Sequence, residues 1–156
     1  MKLITTAVVL STISFLASCG GGGDRTVPEA EPAGSTSAVI GDHEVHFNAQ
    51  STDQLSPQVA RAYKIVRSKN RAILTISVLK LESKESVLAE VSVKTVNLTG
   101  QLKNVIMRKI NEGESIYYIG ETPVANRETL IFELSVTPEG VEEPSPLRFK
   151  RQFYSD

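Results

Sequence analysis

Leu130, Phe132, Leu134 and Val136 occupy alternate positions, and a repeat of two puts four large apolar side chains on one face of an extended chain. The same period returns in Val45, Phe47 and Ala49, and again in Leu147, Phe149, Arg151 and Phe153. No helical pattern between the later strands is long enough for the crossovers that parallel strands need. The chain is therefore confined to antiparallel β structure.

The stretch Gly41–Leu79 organises the rest. Val39 to Gln50 reads as one half-buried strand, with Val45, Phe47 and Ala49 inward and Glu44, His46 and Asn48 outward. Ser56-Pro57 is a helix start, a hydroxyl cap followed by a proline whose missing N–H does no harm. Val59, Ala62, Tyr63 and Val66 fall at helical spacing and predict a short helix laying that stripe on the core. Arg67 to Arg71 has turn chemistry, with Asn70 as the residue suited to positive φ. Ala72–Leu81 reads as a central strand. In the next run the apolar parity begins on Val87, Ala89, Val91 and Val93 and shifts to Val96 and Leu98, which predicts a bulge near Thr95. Gln101–Ile110 and Ser115–Glu121 form a hairpin around Gly113. The expected fold is all-β: an immunoglobulin-like antiparallel β-sandwich of about seven strands, with one short helix inserted after the first strand. A small open barrel is the second architecture. The immunoglobulin disulfide and core tryptophan are both absent, since the chain has one Cys and no Trp.

The N-terminal part belongs to no fold. Leu3–Leu16 is an apolar run behind Lys2, too short for a comfortable span and suited to a signal-peptide core. It ends in Leu16-Ala17-Ser18-Cys19-Gly20, which resembles the bacterial lipobox. That resemblance implies a lipoprotein signal peptide at 1–18, cleavage before Cys19, and acylation of Cys19. Multiple acyl chains exceed what stable anchoring requires. Gly20 is not the aspartate that retains lipoproteins at the inner membrane, so the expectation is an outer-membrane lipoprotein with its domain in the periplasm. With Cys19, residues 20–37 read as a flexible tether, spanning roughly 23 Å on average. The domain then covers 38–156.

Charge excludes some functions. Of 17 Lys and Arg and 18 Asp and Glu, the first 37 residues hold Lys2, Arg25, Asp24, Glu29 and Glu31, which leaves 38–156 with equal numbers of each sign. Such a domain has no global field to draw nucleic acid. Without a cysteine it has no disulfide, thiolate site or thiol nucleophile. His43 and His46 are three apart on a strand, so they point to opposite faces and do not clasp one metal. No serine sits at a strand-to-helix elbow, and Gly41, Gly100, Gly113, Gly120 and Gly140 read as scattered at strand ends. The expectation is a non-enzymatic module without metal or cofactor.

One local asymmetry remains. Arg61, Lys64, Arg67, Lys69 and Arg71 fall within eleven positions with no acid among them. The bland reading is a solvated helix face and turn. The functional reading is a contact site for an anionic partner: lipid headgroups, an envelope polymer or an acidic protein face. Arg67 and Arg71 flank the turn and could brace loop carbonyls or an acid. His46 and Asn48 complete the candidate interaction residues. A pocket lined by them and the helix would favour the alternative, a periplasmic small-molecule or metal-binding module.

EVHFNA, LSPQVARAY, VRSKNRAILTISVL, IYYIGETP, ETLIFELSV and LRFKRQFY together resemble the proteobacterial family catalogued as domain of unknown function 4426. The likeness covers 39–156, with RSKNR as its most specific block. The family pattern carries a glycine where this chain has Lys64, which points to a different helix exit here. The resemblance implies a lipoprotein or periplasmic β domain and brings no activity, cofactor or catalytic residue.

Overall fold

Gly41 and Asp42 turn the chain back on itself, so the first predicted strand is in fact two. Gly41 takes φ +58°, the left-handed conformation that a two-residue hairpin demands and glycine adopts without strain. The computed structural model describes residues 34–155. In it β1 (Ser37–Ile40) pairs antiparallel with β2 (His43–Ser51), Ile40 opposite His43 and Ser37 opposite His46. The Gly41-Asp42 pair was a readable hairpin signal.

β2 then pairs along its whole length with β3 (Arg71–Lys80). Between them lie a 3-10 turn (Thr52–Gln54) and helix α1 (Pro57–Ala62). The helix starts as expected: Ser56 Oγ accepts from Val59 N–H at 3.2 Å. It stops after six residues, and its buried stripe is not the predicted one. Ala60 and Ile65 are buried and Tyr63 half-buried, while Val59 and Val66 are exposed. The predicted stripe extends past Ala62, where the helix ends, and the residues beyond it leave the helical repeat. That end is a Schellman motif: Ile65 N–H donates to Ala60 O at 2.8 Å and Lys64 N–H to Arg61 O at 3.2 Å. Lys64, not Asn70, holds the left-handed conformation, at φ 56°. A β-carbon-bearing residue thus occupies a conformation that glycine adopts without strain. Lys64→Gly should then stabilise the domain by up to about 1 kcal/mol, the Cβ penalty relieved. A urea midpoint that falls instead would show the turn to be unstrained.

β4 (Ala89–Asn97) leaves this sheet and opens a second one, where it pairs with β5 (Leu102–Lys103) and β8 (Thr129–Pro138). The β4–β8 register is unbroken from Ala89–Pro138 to Asn97–Leu130, so there is no bulge at Thr95. The inward position after Val93 is filled by Thr95, which is buried. Val96 belongs to the outer face, and the apparent parity shift was only that. The predicted strand Gln101–Ile110 also divides. β5 stays with the second sheet, while β6 (Arg108–Glu112) joins the first beside β7 (Ser115–Pro123). β9 (Ser145–Gln152) closes the second sheet against β8.

The sheets read β1-β2-β3-β7-β6 and β5-β4-β8-β9. Among the described residues nine strands replace the expected seven or so, because two predicted strands each split. The order is consistent with an immunoglobulin-like arrangement, β2-β3-β7-β6 matching the ABED sheet and β4-β8-β9 the CFG sheet. The core between them is built from Val45, Phe47, Leu74, Ile76, Leu130 and Phe132, among others. Phe149 joins the sheets, with ring centroids 4.8 Å from Phe132 and 4.9 Å from Phe47. A smaller cluster, Ala60, Ile65, Ile73 and Ile119, seats α1 on the outer face of the first sheet.

Candidate functional site

The segment from Thr52 to Arg71 carries the basic run, and its path is set by a buried hydroxyl. Thr52 is fully buried, and its Oγ1 donates to Val66 O at 2.8 Å while accepting from Ser68 N–H at 2.9 Å. A single side chain thus satisfies the backbone where the loop folds over the sheet edge. In the sequence Thr52 is only part of the Ser-Thr-Asp-Gln stretch that breaks the strand. A threonine directly after an alternating strand was its sole signal.

Within this frame the five basic residues separate. Arg67 Nη2 donates to Asp53 O at 2.6 Å, bracing the 3-10 turn. Arg71 Nη1 lies 3.5 Å from Glu121 on the neighbouring strand. Lys69 is exposed but has a partner of its own. Arg61 on α1 and Lys64 at its exit are exposed, and no described residue pairs with either charge. Tyr63 between them is tied to β6 from two sides. Its carbonyl accepts from Arg108. Its hydroxyl donates to Glu112 at 2.6 Å, which raises the phenol above its ordinary range.

His46 and Asn48 lie on the same outer face, in an open depression of about 390 Å³ lined by Thr36, His46, Phe47, Asn48, Thr75 and Ser77. Its rim is hydroxyl, amide and imidazole, and the helix takes no part in it. His46 Nε2 is 3.5 Å from Glu44 Oε2, but that carboxylate also accepts from Lys84 Nζ at 2.7 Å. The Lys84 hydrogen bond holds the Glu44 carboxyl below its ordinary value, with the Lys84 and His46 charges adding to it and burial opposing. His43 faces the other way and is buried. Its Nδ1 is 2.8 Å from Asp42 Oδ1 yet makes no hydrogen bond, so the contact is one of proximity without alignment. Among the described residues no three His, Cys, Asp or Glu side chains converge as metal ligands would. Cys19, the expected acylation site, lies outside the described residues, as do the signal peptide and most of the tether.

A second polar centre escaped sequence reading altogether. Glu128, beside Lys103 at 3.0 Å, accepts from Ala125 N–H at 2.8 Å and from Asn97 Nδ2 at 3.1 Å. Burial pushes its carboxyl up, but these three donors outweigh burial and hold it below the ordinary value. They join β4, β5 and the β7–β8 connection at the same end of the sandwich as α1.

The family profile for "Domain of unknown function (DUF4426)" matches residues 37–156. A crystal structure of a DUF4426 family protein from Pseudomonas aeruginosa PAO1 shares 30% identity with a TM-score of 0.67, covering 77% of this chain and 94% of that one. Two structures of FetP from uropathogenic Escherichia coli strain F11 share 9% identity. The copper-bound variant has a TM-score of 0.56 and covers 77% of this chain and 95% of its own. The as-isolated protein, recombinantly expressed in the periplasm of Escherichia coli BL21(DE3), has 0.54 and covers 77% and 93%. At that identity FetP shares the fold. No curated protein matches the chain.

Proposed function

The chain belongs to the DUF4426 family, and from that premise we propose that it is an envelope lipoprotein, anchored through Cys19 to the outer membrane, whose periplasmic β-sandwich acts by binding an anionic partner. The observation that supports this reading is the division of the basic run. Arg67 and Arg71 are spent on the fold, whereas Arg61 and Lys64 are held exposed and unpaired on a helix stapled to the sheet. Ordered, unpaired cations favour an anion by charge complementarity more than they stabilise the monomer. The depression at His46 and Asn48 is open and hydroxyl-lined, better suited to a broad surface than to an enclosed small molecule. Among the described residues no helix is long and apolar enough to cross a membrane. Crosslinking in intact envelopes should capture a partner that Arg61→Gln/Lys64→Gln loses. Unchanged crosslinks would remove the basic face from the proposal. Cys19→Ser should release the protein from the membrane fraction and leave the domain folded. A variant that still sediments with membranes like wild type would end the acylation reading.

The second reading is a metal-binding module, because one fold neighbour is copper-bound and His46 here stands beside Glu44 on an accessible face. Lys84 already neutralises that carboxylate, and an imidazole with one carboxylate falls short of the ligand number that strong sites use. Melting curves with chelator and with added copper should therefore coincide. A midpoint raised by several degrees with copper, and restored by His46→Ala, would establish the metal reading instead.

A further inference from the structure

The equal totals of acid and base conceal a segregation that only the topology reveals. At one end of the sandwich lie the connections 52–70, 98–107 (which includes β5) and 124–128. They carry Arg61, Lys64, Arg67, Lys69, Lys103 and Arg127 against Asp53 and Glu128. At the opposite end lie 41–42, 81–88, 113–114 and 139–144, with Asp42, Glu82, Glu85, Glu114 and the Glu139, Glu142 and Glu143 group against Lys84. The domain is a charge dipole along its strands.

Two independent features mark the basic end. The first is apolar: Val66 is 65% exposed, Leu98 70%, Leu102 67%, Ile106 76% and Tyr154 59%, and all of them stand there. Neighbouring cations at this end are exposed too: the side-chain charges of Arg61, Lys64 and Arg127 are not paired with any described residue. The second is the route of the chain. β1 runs antiparallel to β2, with Ser37 opposite His46 and Thr36 O accepting from Phe47 N–H. The described residues before Ser37, 34–36, therefore continue beside β2 in the direction of its Ser51 end, which is the basic end.

We propose that this end of the domain docks on the anionic phospholipid surface in which Cys19 is anchored, with Arg61, Lys64 and Arg127 facing headgroup phosphates and Leu98, Ile106 and Tyr154 entering the interface. The inference deepens the anionic-partner reading above and rests on it. Basic residues near an anionic leaflet and apolar or aromatic side chains at headgroup depth act together in such surfaces. The acidic end is then turned away from the membrane, so the field orients the domain as well as attracting it.

Both sheets and the core close within 34–155, so a fragment beginning at Gly34 carries the fold and lacks the lipid that would mask its own affinity. Its sedimentation with phosphatidylglycerol/phosphatidylcholine vesicles should exceed that with phosphatidylcholine alone and fall as salt is raised. Arg61→Gln/Lys64→Gln/Arg127→Gln should lower the partition coefficient roughly tenfold to a hundredfold. Leu98→Ser/Ile106→Ser should lower it at high salt as well, whereas Glu142→Gln/Glu143→Gln should leave it unchanged. Equal binding to both vesicle types, or a triple variant that binds like wild type, overturns the proposal. So does a fragment that ignores vesicles but pulls down an acidic protein or cell-wall polymer. In that last case the anionic-partner reading stands and only the lipid surface is lost.

Discussion

Phe132→Ala is expected to cost the domain about 3–5 kcal/mol, the largest effect of any core truncation in the second sheet. Phe132 has no exposed surface and sits between Thr95 on β4 and Phe149 on β9. Its ring stacks on Phe149 at 4.8 Å with planes 12° apart, and Phe149 in turn meets Phe47 from the first sheet at 4.9 Å. Removing the fully buried end of that series leaves a cavity walled by two sheets that cannot close independently, so the cavity cost adds to the transfer cost. A domain of this size has a net stability of about 5–15 kcal/mol, so the loss is a large fraction of the total. Phe149→Ala should cost less, because Phe149 is already half-buried. Phe132→Leu should keep most of the stability, since it preserves much of the volume. Urea unfolding at constant m reads all three. If Phe149→Ala proved as costly as Phe132→Ala, the ring series would be carrying the core from β9 and not from β8.

How much of this was legible depended on whether a signal was local. Alternation is a local property, so Val45, Phe47 and Ala49, and Leu130 to Val136, announced their inward face correctly. The Ser56-Pro57 helix start is equally local and was found in place. Failures began where a position is decided by something distant in sequence. The helix stripe was misread because its end is fixed by the Ala60–Ile65 hydrogen bond and by Ile73 and Ile119 beneath it. Thr95 faces inward because β8 holds β4 in register, not because of any preference of threonine. The Glu128 centre gathers Asn97 of β4, Lys103 of β5 and Ala125 of its own connection, and no spacing in the chain announces it. The basic run was visible as a block. That Arg67 and Arg71 are committed to Asp53 and Glu121 while Arg61 and Lys64 are not could be seen only once the strands were paired.

Gly120 is the sharpest case of a residue whose reason is nonlocal, and it carries the second large effect. Read from sequence it was one more glycine at a strand end. It lies inside β7 instead, directly opposite Leu74 of β3. The segment that takes the chain from β5 in one sheet to β6 in the other passes over it. A Cβ at this position would stand 2.5 Å from Met107 Sδ, 2.6 Å from Val105 Cγ1 and 3.2 Å from Ile106 O. The methionine can swing aside. Val105 is buried and β-branched, and the Ile106 carbonyl is backbone, so neither yields without moving the crossing segment. Alanine at an unstrained glycine ordinarily stabilises by about 0.4–1 kcal/mol through the unfolded chain. The overlap here opposes that gain with an overpacking cost of about 1–3 kcal/mol, so Gly120→Ala should be destabilising. Gly120→Val, with two further carbons, should exceed that range and threaten folding. Combining Gly120→Ala with Val105→Ala should recover about 1 kcal/mol relative to the sum of the single changes, since the two sites share one contact. Ile106 is exposed on the same segment, so vesicle binding by the still-folded Gly120→Ala protein should weaken as well. A Gly120→Ala domain as stable as wild type would mean that the crossing segment does not rest on β7, and the placement of Ile106 at the basic end would fall with it.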